Sequence, residues 1–182
     1  MPIFARKHKK PLGIYVHVPF CRSKCTYCDF YSVAPQKGVT DSYVAALCRK
    51  IDEENRTYDT VYFGGGTPTL LSPSQLERIL GAIERNFGIE NGAEITAETN
   101  PKTADKEKLG DMRSVGINRL SIGMQSVHDN ELRALGRIHN FEDFKTELRE
   151  NMRGGDGTVN RFVNYTKDIE FKNEVLNWLT NG

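Results

Sequence analysis

The sequence predicts an α/β fold, a parallel sheet with helices outside it, on three observations. Strand-like and helix-like segments alternate four times before residue 140. The helical segments are bounded by residues that start or stop helices. The residues least needed for packing fall just after the strand-like segments: three cysteines, a glycine triplet, a glutamate and a glutamine. Parallel α/β folds gather their ligands at that end of the strands. The size agrees, because 182 residues make about one domain. Leu, Ile, Val and Phe form about a quarter of the chain, above the roughly one-fifth below which chains stay disordered.

The elements follow in order. Arg6-Lys-His-Lys-Lys10 is a basic run within a solvated tail, residues 1–12. An apolar stretch comes next, but His17 and Pro19 interrupt it and no small-residue cleavage site follows, so no export signal is read. Gly13-Ile-Tyr-Val-His-Val18 is β-branched and aromatic, a buried strand. Asp41 to Glu54 forms a helix with Tyr43, Val44, Leu47, Cys48 and Ile51 on one face. Thr60-Val-Tyr-Phe63 is a second strand, stopped by Gly64-Gly-Gly66. Ser72, Pro73 and Gln75 supply an N-cap, a first-turn proline and a capping box for a helix through Phe87, which Gly88 ends.

Ala93-Glu-Ile-Thr-Ala97 is the third strand. Thr103 caps a helix that turns Leu109, Met112 and Val115 inward and stops at Gly116. Asn118-Arg-Leu-Ser-Ile122 is the fourth strand, and Ser126 caps a short helix through Leu132 and Leu135. Asn140 caps a further helix with Phe141, Phe144, Leu148 and Met152 aligned, ended by Gly154-Gly155. Residues 158–165 form a weak strand and 168–179 a peripheral helix. The chain thus divides into the tail 1–12, a core 13–140, and a helical tail 141–182 of unassigned chemistry.

Lys and Arg number 25 against 24 Asp and Glu, which gives no sign of a nucleic acid or another polyanion as partner. No apolar run nears the roughly 18 residues of a membrane span. Cys21, Cys25 and Cys28 stand in C-x3-C-x2-C spacing, with Cys48 apart. A secreted disulfide scaffold would spread its cysteines. Three crowded thiols without an export signal suit a soft metal or an iron–sulfur centre in a reducing compartment. A structural zinc wants four protein ligands, and His17 or Cys48 would have to complete the set. Cys48, however, fits the apolar face of its helix, where free cysteines are common. With three ligands, a four-iron cluster keeps one iron open to another molecule. On the residues alone, both readings stand.

The motif Cys21-Arg-Ser-Lys-Cys25-Thr-Tyr-Cys28 after the first strand resembles that of the radical S-adenosylmethionine enzymes. Five further segments, Tyr15-Val-His-Val-Pro-Phe-Cys21, Gly64-Gly-Gly-Thr-Pro68, Glu98-Thr-Asn-Pro101, Gly116-Ile-Asn-Arg-Leu-Ser-Ile-Gly-Met-Gln125 and Leu135-Gly-Arg-Ile-His139, are similar to the oxygen-independent coproporphyrinogen oxidase family, from about residue 11 to 140. The resemblance implies a partial (β/α) barrel, about its first four βα units, with an atypical C-terminal tail. It implies that Cys21, Cys25 and Cys28 hold a [4Fe-4S] cluster whose open iron binds S-adenosylmethionine. One electron would then cleave a carbon–sulfur bond to give methionine and a 5′-deoxyadenosyl radical. It implies cofactor contacts at Gly65, Gly66 and Thr67, at Glu98, at Gln125, and at Arg137 as a carboxylate clamp, with Tyr15 and Tyr27 flanking. His139 is read as local structure, and no side chain is given a catalytic role of its own.

Two residues past the third cysteine, the true anaerobic oxidases of the family place another cysteine; here Phe30 stands there. This resembles the HemW-type group, which is associated with heme binding and transfer, and implies heme or porphyrin as a further ligand. That group's heme signature, a His-Asn pair followed closely by Tyr-Trp, is absent: His139-Asn140 leads into Phe-Glu-Asp-Phe, and Trp178 is remote. The family's Asp-Leu-Ile and Gly-Leu-Pro segments are not found either, so the chain reads as the cluster-and-cofactor half of a larger protein. The resemblance implies a cytoplasmic protein fed by a flavodoxin or ferredoxin. The fourth strand would leave a sheet edge for the tail, or for a second copy in a homodimer, to cover.

Overall fold

In a computed structural model, residues 12–51, 58–152 and 162–163 are described. Five strands form one parallel sheet in chain order: β1 (Gly13–Val18), β2 (Tyr58–Gly65), β3 (Ile89–Thr99), β4 (Arg119–Ile122) and β5 (Phe162–Val163). Helices α1 (Val39–Ile51), α2 (Pro73–Phe87), α3 (Lys106–Ser114), α4 (Asp129–Ala134) and α5 (Phe141–Met152) lie in the crossovers. A short 3-10 turn, Pro68–Leu70, precedes α2. This is the expected open run of βα units.

Period-two alternation gives the sheet two unlike faces. Val16, Val18, Val61, Phe63, Ala97, Leu120 and Ile122 are buried and form the core with Leu76, Ile79 and Ile83 of α2 and Leu109 and Met112 of α3. The register puts Tyr15 beside Tyr62, Tyr62 beside Thr96, Thr96 beside Arg119, and Glu98 beside Ser121 on the other face. That face is held by hydrogen bonds: Arg119 Nη1 donates to Glu94 Oε1 and to Thr96 Oγ1, both at 3.1 Å. A parallel sheet covered by helices on both sides reads as near-continuous apolar runs. Here only one face does.

Element ends differ from expectation where tertiary pairing overrides local chemistry. β2 runs on through Gly64 and Gly65, which pair with His17 and Val18. β3 starts at Ile89 because that residue pairs with Tyr58, with an irregular register before Thr60. β4 starts one residue late. Asn118 instead uses its side chain on β3, accepting from Ile95 N–H and donating to the Ala93 carbonyl, both at 2.8 Å.

The α2 capping box is present as expected, with Gln75 N–H donating to Ser72 Oγ and Ser72 N–H to Gln75 Oε1. Thr103 does not cap α3; Asp105 does, accepting from Lys108 N–H at 2.9 Å. The Thr103 hydroxyl is committed elsewhere, to the Asn100 carbonyl and a buried trio with Thr69 and Thr99. Ser126 does not cap α4 either. The N-cap is His128, and Ser126 tightens the preceding turn by accepting His128 N–H and donating to Glu131. Asn140 and Asp143 do cap α5 reciprocally.

Phe162 and Val163 pair in parallel with Leu120 and Ser121, so part of the tail lies on the β4 edge. The expected strand at 158–165 is seen at those two residues. The basic run, Glu54, Gly154-Gly155 and the helix at 168–179 lie outside the described residues. Among the described residues, no helix is long and apolar enough to cross a membrane.

Candidate functional site

The loop after β1 carries the three cysteines out over the C-terminal rim of the sheet. Its backbone is tied down at both ends. Cys21 N–H donates to the Val33 carbonyl and Val33 N–H to that of Pro19. Thr26 N–H and Oγ1 reach the Leu135 and Ala134 carbonyls at the end of α4, each at 3.3 Å. Cys21, Cys25 and Cys28 are free thiols of intermediate burial. They line a cavity of about 290 Å³ whose wall also includes Tyr27, Gly65, Gly66, Thr67, Glu98, Gln125 and Arg137. Ten of the eleven sequence-singled positions therefore converge on one cavity.

Tyr15 is the exception. Period two sends it onto the polar face of the sheet below the rim, where it is 54% exposed and stacks on Tyr62 with ring centroids 6.0 Å apart. Burial, then the nearby Glu98 carboxylate, pushes its phenol up from the usual range. His17 shares that face. Its Nε2 lies 3.2 Å from the Tyr31 carbonyl and its Nδ1 3.4 Å from the Tyr15 hydroxyl. Cys48 is on α1, half-buried against the core, with Sγ 3.7 Å from the Arg78 carbonyl of α2. Neither His17 nor Cys48 lines the cavity.

The glycines have a structural reason of their own. A Cβ at Gly66 would lie 2.5 Å from the Phe20 carbonyl oxygen, and one at Gly65, where φ is +105°, 2.5 Å from the His17 ring. The bare backbone lets β2 close on the end of β1, where Gly66 N–H bonds the Val18 carbonyl and Thr67 N–H that of Phe20. Glu98 accepts the Tyr62 hydroxyl at 2.7 Å and Gly65 N–H at 3.1 Å, one on each carboxylate oxygen. Each oxygen keeps a further lone pair for a donor entering the cavity. Gln125 holds the left-handed backbone, φ +76°, which side-chain-bearing residues seldom adopt and which recurs at functional sites.

Arg137 spans the cavity wall. Its Nη1 donates to Cys25 Sγ at 3.4 Å, and its Nη2 to Asn100 Oδ1 and the Gly123 carbonyl. Its Nε is buried without an acceptor among the described residues. Burial pushes the neighbouring Tyr27 phenol up against the opposing pull of Arg137. His139 is buried, with Nε2 3.0 Å from the Met124 carbonyl. Burial and then the Arg137 charge lower its pKa to about 4. Among the cavity residues that the sequence reading did not single out are the two that hold Arg137. Asn100 and Gly123 lie inside motifs that were quoted whole, but their roles rest on contacts with residues far along the chain.

The three thiols face one cavity without closing on one point. Among the described residues, no three His, Cys, Asp or Glu side chains are gathered tightly enough to hold a metal ion. A tetrahedral zinc with bonds of about 2.3 Å would need that tight grouping. A multi-iron group spaces its ligands more widely.

Residues 15–162 match the Radical SAM superfamily, a match that continues past Asn140 through α5 to β5. The chain is 40% identical over 147 residues to a heme chaperone HemW of Synechocystis, covering 76% of this chain and 36% of that one. It is 39% identical over 141 residues to heme chaperone HemW of Escherichia coli, covering 74% and 37%. Coproporphyrinogen III oxidase of Escherichia coli, a radical SAM enzyme, superposes with a TM-score of 0.72 at 30% identity, over 79% of this chain and 35% of that one. The chain thus spans little more than a third of the length of these relatives.

Proposed function

The chain belongs to the radical SAM superfamily, and from that premise we propose that residues 13–140 bind a [4Fe-4S] cluster on Cys21, Cys25 and Cys28 together with S-adenosylmethionine. When bound, these groups would supply reductive cleavage of S-adenosylmethionine to methionine and a 5′-deoxyadenosyl radical. The observation that carries the reading is the single cavity walled by all three thiols, Glu98, Gln125 and Arg137. The donor set supports it. Three thiolates suit iron–sulfur ligation, and among the described residues the cavity wall holds no fourth Cys and no His.

Each residue then has a physical task. The free lone pairs of Glu98 accept a hydroxyl or cationic group of the cofactor. Gln125 offers both a donor and an acceptor. Arg137 has a guanidinium N–H without an acceptor at Nε among the described residues, and a guanidinium meets a carboxylate with directed donors. Phe30, 61% exposed, stands in the cavity wall where the resembled oxidases have a cysteine, which favours the HemW-like reading. The link to heme or porphyrin rests on the names of the relatives. His139 is not offered as a heme ligand, since its Nε2 is engaged and it is buried. A cytoplasmic setting and a flavodoxin or ferredoxin donor fit the same reading.

Anaerobic reconstitution with iron and sulfide tests it. The full chain should take up a cluster seen by absorption and electron paramagnetic resonance, lose it in Cys25→Ala, and release 5′-deoxyadenosine from S-adenosylmethionine with dithionite. A chain that folds yet binds no cluster would refute the proposal.

A further inference from the structure

Asn100, at the end of β3 in the cavity wall, has no place in the roles above. Its Nδ2 donates to Thr67 Oγ1 at 3.0 Å and its Oδ1 accepts from Arg137 Nη2. Each partner reaches a different cysteine. Thr67 Oγ1 lies 3.7 Å from Cys21 Sγ, and Arg137 Nη1 donates to Cys25 Sγ at 3.4 Å. A relay therefore runs from one thiol to another through residues of three βα units, with Asn100 at its middle.

Proton counting sets the direction of the relay. Thr67 Oγ1 already accepts the Asn100 amide hydrogen, so its own hydrogen is left for Cys21. Arg137 has donors only. Both arms thus aim hydrogen at sulfur. Thr67 is 3% exposed, which shields its arm from competing water. The carboxamide is the group that can serve both arms at once, because it donates on one side and accepts on the other. A carboxylate there would accept from both and draw the Thr67 hydrogen away from Cys21.

We propose that Asn100 is a positioning residue, holding Thr67 and Arg137 as hydrogen-bond donors to Cys21 and Cys25 and so raising the electron affinity of the cluster those thiolates hold. This rests on the cluster reading above. Adding one electron, from a one-electron donor, puts further negative charge on the cluster and its sulfurs. Hydrogen bonds to those sulfurs favour the reduced form over the oxidised one. No bond to Asn100 forms or breaks.

The test is a redox titration of the reconstituted full chain, followed by electron paramagnetic resonance, with dithionite as reductant. Asn100→Asp and Thr67→Val should each disfavour the reduced cluster by about tenfold at a fixed applied potential, a midpoint shift of about 59 mV for one electron. Thr67→Ser keeps the hydroxyl and should keep the parent midpoint. Intact clusters with unmoved midpoints in Asn100→Asp and Thr67→Val would overturn the inference while leaving the cluster reading in place. If Asn100→Asp does not fold, Thr67→Val against Thr67→Ser decides. Failure of the parent chain to take up any cluster would remove the cluster reading, and this inference with it.

Discussion

The two faces of the sheet are built from alternate residues of the same strands, yet they are held by different forces. On the helix side, Val18, Phe63 and Ala97 are fully buried against α2 and its neighbours. Burial of that kind is nondirectional and scales with apolar area. On the other side Tyr62, Glu98, Glu94 and Arg119 depend on aligned donors and acceptors. A hydrogen bond there contributes a net 1 kcal/mol or so, because water competes for both partners. The helix side therefore carries stability, while the polar side and the rim above it present directed donors and acceptors.

Breaking the helix side should cost most. Phe63→Ala is expected to destabilise the chain by about 3–5 kcal/mol in urea melts, through lost burial and the cavity left behind. Its strand neighbour Tyr62, facing the other way, should lose only about 1 kcal/mol as Tyr62→Phe. Equal losses would erase the contrast.

Next comes the seam under the rim, at His139. It faces Arg137, Lys102 and Asp143, and its folded pKa of about 4 lies below the ordinary 6.5. Above pH 6.5 it is neutral whether folded or not, and it adds no pH dependence. Between 6.5 and 4 the unfolded chain takes a proton that the folded chain refuses, so stability falls as pH falls, by about 2–3 kcal/mol near pH 4.5. Urea melts at pH 7 and 4.5 measure this, and His139→Gln should flatten that part of the slope. Ser72→Ala should cost about 1 kcal/mol by removing the α2 cap. Smallest is Arg119→Lys on the polar face. It keeps a charge near Glu94 but loses the planar guanidinium that aims Nη1 at Glu94 and Thr96 together, and should cost under about 1 kcal/mol.

How much of this could be read beforehand depended on whether a signal was local. The Ser72, Pro73 and Gln75 cap was legible because all its partners lie within one turn. Thr103 and Asp105 were equally good caps by local chemistry. The choice fell to Asp105 because buried Thr69 and Thr99, brought up by the preceding crossovers, occupy the Thr103 hydroxyl. Convergence of the rim residues followed from topology alone, since every parallel strand delivers its C-terminal end to the same side. Tyr15 stands apart from that cavity wall for the complementary reason: three residues short of the end of β1, it lies on a face and not at the rim. Asn100 sat inside a quoted motif, but its meaning lies in partners 33 and 37 residues away.

The bond from Thr26 to the carbonyl of Ala134 spans 108 residues. During synthesis, the cysteine loop leaves the ribosome long before the segment that fastens it. Until α4 has been made and docked, the loop is held at its ends, Cys21 and Val33, but not in its middle, beside Cys25. The fourth βα unit is therefore what fixes the middle of the cysteine loop, and a half-made chain would hold its three thiols less firmly in place.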